Sequence, residues 1–148
     1  MIRYCILISR GVITIRLWHK DLIEVLPRQQ LLGQWRELNS IFKLQNRHIL
    51  INFVYDYPKE CLYAYSWLVV QEMKKRGYKV NLENFDNYFK DIDENIIIVR
   101  SELYRYKMDN EYLKIGYYNL LEKYRCGGIS QEEWEKIEGI INGRKNNW

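Results

Sequence analysis

A chain of 148 residues and 18.2 kDa has room for one domain around a single hydrophobic core. Hydrophobic residues at 47% and charged residues at 28% mark a globular rather than a disordered chain, and no apolar run approaches the ~20 residues of a membrane helix. The net charge of +4 conceals an asymmetry. Residues 16–80 carry eleven Lys/Arg against six Asp/Glu, whereas residues 81–148 carry ten against thirteen. A positive half on an aromatic-rich domain suits a polyanionic partner. Cys5, Cys61 and Cys126 are odd in number and form no CxxC pair, which argues for a reducing, cytoplasmic setting and against a disulfide framework or a zinc site. His19 and His48 are the only histidines, too few to suggest a metal centre.

Residues 1–14 resemble a signal peptide only superficially. The apolar stretch from Tyr4 to Ser9 is too short and is interrupted by Arg10 and Gly11. The segment reads either as a loosely packed N-terminal extension or as a misassigned start, with translation beginning at the position of Ile15.

The first clear helix opens at Pro27, which suits a first helical turn because its missing N–H is not needed there. Leu31, Trp35, Leu38 and Phe42 form its apolar stripe; Gln29, Gly33, Arg36 and Ser40 occupy the other side. Gly33 suggests the close approach of another backbone. Residues 49–55 are β-rich without clean alternation and read as a short strand or a buried extended segment. A second helix runs from Pro58 to Gly77 with Leu62, Tyr65, Val69, Met73 and Arg76 on its stripe. Lys74, Lys75 and Arg76 complement its dipole. Residues 81–100 carry no legible period.

A third helix covers residues 110–124 with Leu113, Tyr117, Leu120 and Tyr124 in line, and Gly127 and Gly128 stop it. Ser130 and Glu133 have capping-box spacing and open a short fourth helix bearing Trp134, Ile137 and Ile141. No repeat or linker-like stretch divides the chain. The expected fold is all-α: one compact domain over residues 15–148, with three main helices, a short C-terminal helix and long irregular connections.

Phosphate-binding glycine loops, the HExxH zinc motif and the GxSxG nucleophile elbow are absent. Cys61 with His48 could form a thiol pair, but an inert buried cysteine is the simpler reading. The densest polar segment runs through Arg16, Trp18, His19, Lys20 and Asp21 to Arg28, Gln29, Gln30, Gln34, Trp35, Arg36 and Glu37. Arginine and glutamine suit phosphate and base-edge contacts, and aromatic rings among them can stack on bases. Glu37 is out of place on a passive phosphate-binding face. It is either an ordinary surface ion pair with Arg36 or Lys43, or a carboxylate that handles protons and stabilises a cation.

These residues resemble the N-terminal signature of the pyrimidine dimer DNA glycosylase (phage endonuclease V-like) family, in what looks like a bacterial branch. Leu26, Gln29, Leu31, Trp35, Arg36 and Glu37 match its pattern without a gap. A second block is similar at His48, at Val54, Tyr55 and Asp56, and from Glu72 to Tyr78; a weaker third block spans Asn119 to Lys123. The resemblance covers about residues 15–123. It implies a DNA repair glycosylase with AP-lyase activity that acts as a monomer on damaged double-stranded DNA, needing no metal and no cofactor. An N-terminal α-amine attacks C1′, displaces the base and forms a Schiff base, and a glutamate assists the β-elimination that breaks the strand.

Carried over by position, the resemblance makes Glu37 the catalytic glutamate. It places the nucleophilic N-terminus at Ile15, and Arg16, Gln29, Arg36, His48 and Lys123 on the DNA-binding surface. The chain departs from the family in two places. Fourteen residues precede Ile15, so its nitrogen is a peptide amide in the chain as written. An acidic helix at 130–141 stands where the family has an aromatic tail. Two other function classes remain open: a non-catalytic DNA-binding module of the same fold, and a protein-interaction domain using the acidic C-terminal third with Trp134 and Trp148.

Overall fold

The computed structural model describes residues 16–148. Five α-helices follow one another: α1 (Arg28–Leu44), α2 (Lys59–Lys75), α3 (Glu83–Tyr88), α4 (Asn110–Arg125) and α5 (Gln131–Ile141). Short 3-10 turns lie at Lys20–Val25, Asn52–Tyr55 and Lys145–Asn147. No strand occurs among the described residues, and the fold is all-α. None of the helices is long and apolar enough to cross a membrane.

The helices form where apolar stripes and end signals agree. Pro27 and Pro58 immediately precede α1 and α2. Leu31, Trp35, Leu38 and Phe42 are all buried, as are Leu62, Tyr65, Val69 and Met73. Gly77 at φ 86° and Gly127 at φ 82° end α2 and α4 in the left-handed region. At each end two consecutive N–H groups return to the last turn. Gly77 and Tyr78 donate to Lys74 and Met73, and Gly127 and Gly128 donate to Tyr124 and Lys123. The Ser130–Glu133 capping box is formed in full at the start of α5.

Helix α1 has no side-chain cap of its own, because Pro27 can offer none. Glu133 supplies one from α5: its Oε2 accepts the Arg28 N–H at 2.8 Å. A carboxylate at a helix N-terminus also opposes the positive end of the dipole. Part of the acidic C-terminal helix is thereby committed to holding α1.

Three expectations are corrected, and one stretch without a reading gains a structure. Residues 49–55 form neither strand nor extended segment, but a turn followed by a 3-10 turn. Residues 81–100 contain an unforeseen helix, α3, docked through Phe85, Tyr88 and Phe89 onto Phe42 at ring separations of 5.9, 5.5 and 5.2 Å. Gly33 meets no neighbouring backbone; an added Cβ would touch only the Arg36 guanidinium at 3.6 Å. The close approach occurs instead at Gly116, where a Cβ would lie 3.1 Å from the buried Leu22 side chain. This glycine lets α4 settle against Trp18 and Leu22, at the centre of the core.

The third correction concerns Arg76, which does more than oppose a helix dipole. It donates to Glu72 Oε1 and the Leu26 carbonyl, both at 2.8 Å, and to the Glu24 carbonyl at 3.2 Å. Trp134 and Trp148 likewise face inward. Trp134 stacks on Tyr124 at 4.9 Å, and Trp148 lies 5.2 Å from the Tyr117 ring.

Candidate active site and nucleic-acid interface

The segment 16–26 is extended and then tightly turned, so its backbone groups need partners from elsewhere. Side chains provide them. Gln34 Oε1 accepts the Trp18 N–H at 2.7 Å, and Gln34 Nε2 donates to the Arg16 carbonyl at 3.1 Å. Tyr65 donates its hydroxyl to the Trp18 carbonyl at 2.6 Å, and Tyr112 donates to the Leu17 carbonyl. Lys20, almost fully buried, donates to the Leu103 carbonyl at 2.6 Å and the Ser101 carbonyl at 3.3 Å; burial lowers its pKa. The Arg76 contacts hold the far end. Each partner lies at least sixteen positions away in sequence, so the tertiary fold sets the path of this segment.

Glu37 lies on the same helical face, one turn beyond Gln34, where residues three apart are neighbours. It is only 8% exposed. Among the described residues no hydrogen bond or ion pair reaches its carboxylate. Burial pushes the carboxyl up from the ordinary glutamate range, and nearby His48 draws it partly back. The surface ion pair with Arg36 or Lys43 does not form. Adjacent helical residues point about 100° apart, and residues six apart about 120° apart. Arg36 and Lys43 are accordingly exposed while Glu37 is buried.

Cations capping aromatic rings lie around this carboxylate and the pinned segment. Arg47 sits 4.0 Å over the Tyr55 ring, and the Glu37 charge helps raise the Tyr55 pKa, behind burial and the neighbouring Tyr88. Lys107 lies 5.2 Å from the Phe53 ring and 5.6 Å from Tyr112. The Arg16 guanidinium is 5.7 Å from the Trp18 ring. Tyr112 is pushed up to about 12 by burial, against the opposing charge of Arg16.

The structure brings together some of the residues singled out from the sequence. His48 is near enough to act electrostatically on the Glu37 carboxyl, and Arg16 is joined to the Glu37 helix through Gln34. Gln29 and Arg36 are exposed on the outward side of α1, which they share with Gly33. Lys123 is half-buried in the last turn of α4, and no hydrogen bond or ion pair among the described residues connects it to Glu37, His48 or Arg16. Ile15 lies outside the described residues. Cys61 is buried, its thiol pushed up by burial, and it makes no hydrogen bond with His48.

Arg47, Tyr55, Tyr65, Lys107 and Tyr112 were not anticipated, and Gln34, read from the sequence as a nucleic-acid contact, instead holds the backbone of residues 16–18. A signal for that inward role existed. Gln30, Gln34 and Glu37 recur at four- and three-residue spacing beside the apolar stripe, a polar line that belongs inside. Among the described residues no three or more His, Cys, Asp or Glu side chains gather as a metal ion would require.

A family model described as pyrimidine dimer DNA glycosylase matches residues 15–86. Over that stretch the chain is similar to this family. The match takes in the pinned segment, Gln34, Glu37, the His48 turn and Arg76, and it ends inside α3. It is shorter than the resemblance suggested, leaving the third block and Lys123 outside. No curated protein and no solved structure matches the chain. That similarity to a pyrimidine dimer DNA glycosylase model gives the Glu37 region its chemical context.

Proposed function

We propose that this chain is a DNA repair glycosylase with AP-lyase activity, acting on pyrimidine dimer or abasic duplex DNA with Glu37 as its catalytic carboxylate. One observation carries the reading. A nearly buried glutamate without a partner among the described residues stands one helical turn from Gln34, whose amide clamps the backbone of Arg16 and Trp18. The family match supports the substrate class.

In this reading the nucleophile is the α-amine of a chain whose translation begins at the position of Ile15. An α-amine titrates at about 7.7–8.0 against about 10.4 for lysine, so much of it is unprotonated at neutral pH. Its nitrogen attacks C1′. A C1′–N bond forms, the glycosylic bond breaks, and the base leaves with a proton. Loss of a C2′ proton from the resulting iminium then expels the 3′ phosphate. Glu37, with its pKa raised, is suited to stabilise the sugar cation and to move these protons. Arg16 and His48, with Gln29 and Arg36 on the neighbouring face, contact the DNA backbone; Lys123 extends that surface.

The test is borohydride trapping on abasic duplex DNA with two chains, one starting at Met1 and one at position 15. The shorter chain is expected to form a covalent adduct, and Glu37→Gln to abolish cleavage while binding persists. No adduct with either chain overturns the lyase reading, and salt-sensitive binding without cleavage then identifies a non-catalytic DNA-binding module. The protein-interaction alternative keeps its acidic surface but draws less on the tryptophans, because Trp134 is buried and Trp148 is partly buried against the Tyr117 ring.

A further inference from the structure

We propose that the turn at residues 48–51 is a wedge, with Ile49 entering the base stack beside the Glu37 site. This inference rests on the DNA glycosylase reading and deepens it. Ile49 is 84% exposed, and Leu50 beside it is 43% exposed. Single exposed apolar residues are common on protein surfaces. Two at the tip of one braced turn are a different matter.

The bracing is extensive. The His48 N–H donates to Asn52 Oδ1 at 2.7 Å, and His48 Nδ1 accepts from the Leu50 N–H at 3.2 Å. The His48 carbonyl accepts from both Ile51 and Asn52, at 2.9 and 2.8 Å. Ile51 is fully buried and roots the turn in the core. On the approach to the turn, Tyr55 donates its hydroxyl to the Asn46 carbonyl, and Arg47 stacks on the same ring at 4.0 Å. The backbone is thus held while the Ile49 side chain projects into solvent.

Place and charge identify the occupant. His48, next in sequence, is close enough to Glu37 to draw its carboxyl pKa downward. Residues 38–55 contain Lys43 and Arg47 and no acid. An apolar tip with cations on the same segment suits a duplex, whose phosphates pair with the cations while the side chain parts a base step. A glycosylase must extrude its target nucleotide, and unstacking costs a few kcal/mol. A side chain that fills the vacated space lowers that cost beside the carboxylate that acts on the extruded sugar.

The experiment uses the full chain and a duplex carrying a tetrahydrofuran abasic analogue next to 2-aminopurine. Binding is read by anisotropy and unstacking by 2-aminopurine fluorescence. The wild-type protein is expected to raise the fluorescence on binding. Ile49→Ser is expected to lose that rise while weakening binding by less than about tenfold, and Ile49→Phe to restore it. Ile97→Ser, a control at another residue 83% exposed, is expected to behave as wild type. A bound wild-type complex without a fluorescence rise, or an undiminished rise with Ile49→Ser, overturns the wedge and leaves the glycosylase reading standing. Failure of the wild type to bind the duplex overturns both.

Discussion

Gln34 holds Trp18 by its backbone, accepting the Trp18 N–H at 2.7 Å while donating to the Arg16 carbonyl at 3.1 Å. One buried amide thereby satisfies two main-chain groups of a segment that has no helix or sheet to satisfy them. The Tyr65 hydroxyl, which donates to the Trp18 carbonyl, shares its proton with Gln34 Oε1 at 2.9 Å. The side chain that fixes the start of the described chain therefore stands on the same helix face as Glu37.

Replacing Gln34 by leucine keeps roughly the same volume but leaves the Trp18 N–H and the Arg16 carbonyl without this partner. A buried polar group deprived of its partner costs about 1–3 kcal/mol. Gln34→Leu is expected to destabilise the fold by ~2–4 kcal/mol in urea melts. Strand cleavage at temperatures where the variant is still folded is expected to fall as well, because position 15 adjoins the clamped residue. Wild-type stability in Gln34→Leu would show that the clamp contributes nothing.

Glu37 should show a trade between activity and stability. Its folded pKa is raised, so the fold favours the protonated form and disfavours the carboxylate. The penalty is absent below the ordinary glutamate range and present once pH exceeds the raised folded value. Glu37→Gln, uncharged throughout, is expected to be more stable than wild type at pH 8, with the advantage shrinking by pH 4. Cleavage should fall by about 10²–10⁴-fold, the range of general acid–base contributions. Urea midpoints of both proteins at the two pH values decide the first point; a difference independent of pH would refute it.

The helices were legible because their signals are local. Leu31, Trp35, Leu38 and Phe42 announce α1 by spacing alone, and Ser130 with Glu133 announces α5. The turn at 48–51 was not, since its shape depends on Asn52, Tyr55 and a buried Ile51 acting together. Helix α3 escaped notice because six residues hold too little periodicity; aromatic packing on Phe42 stabilises it. Glu37 could be singled out as an acid among cations, but its burial could not. The pinned path of residues 16–26 was invisible because Tyr65, Arg76 and Tyr112 come from distant elements. An all-α fold and the neighbourhood of the site can therefore be read from local pattern, while the site's geometry depends on long-range hydrogen bonds.

Arg76 is expected to separate from its basic neighbours. Its guanidinium pairs with Glu72, which is only 7% exposed, and with two carbonyls of the pinned segment. Removing one partner of a buried pair leaves an uncompensated charge, at a cost of about 3–5 kcal/mol. Arg76→Ala should approach that loss in a chemical melt. Lys74→Ala and Lys75→Ala, both at exposed positions, should stay within ~0.5 kcal/mol. Equal effects at all three positions would return the trio to simple dipole complementation.

His19 makes the fold sensitive to mild acid. It is 2% exposed, accepts the Asp21 N–H on Nδ1 at 3.0 Å, and lies 2.8 Å through Nε2 from the Met108 carbonyl. Those partners call for a neutral ring with its proton on Nε2. Burial lowers its pKa from 6.5 to about 4, although Asp21 and the Met108 hydrogen bond pull the other way. Between those values the unfolded chain binds a proton that the folded chain refuses, so stability rises with pH across the window. The contribution is complete above about 6.5 and is lost as pH falls toward 4, amounting to ~3 kcal/mol. Urea midpoints from pH 7.5 to 4 should decline accordingly. His19→Asn should be less stable at pH 7.5 and should lose much of the slope between pH 6.5 and 4. A slope unchanged in His19→Asn would assign the acid sensitivity to other groups.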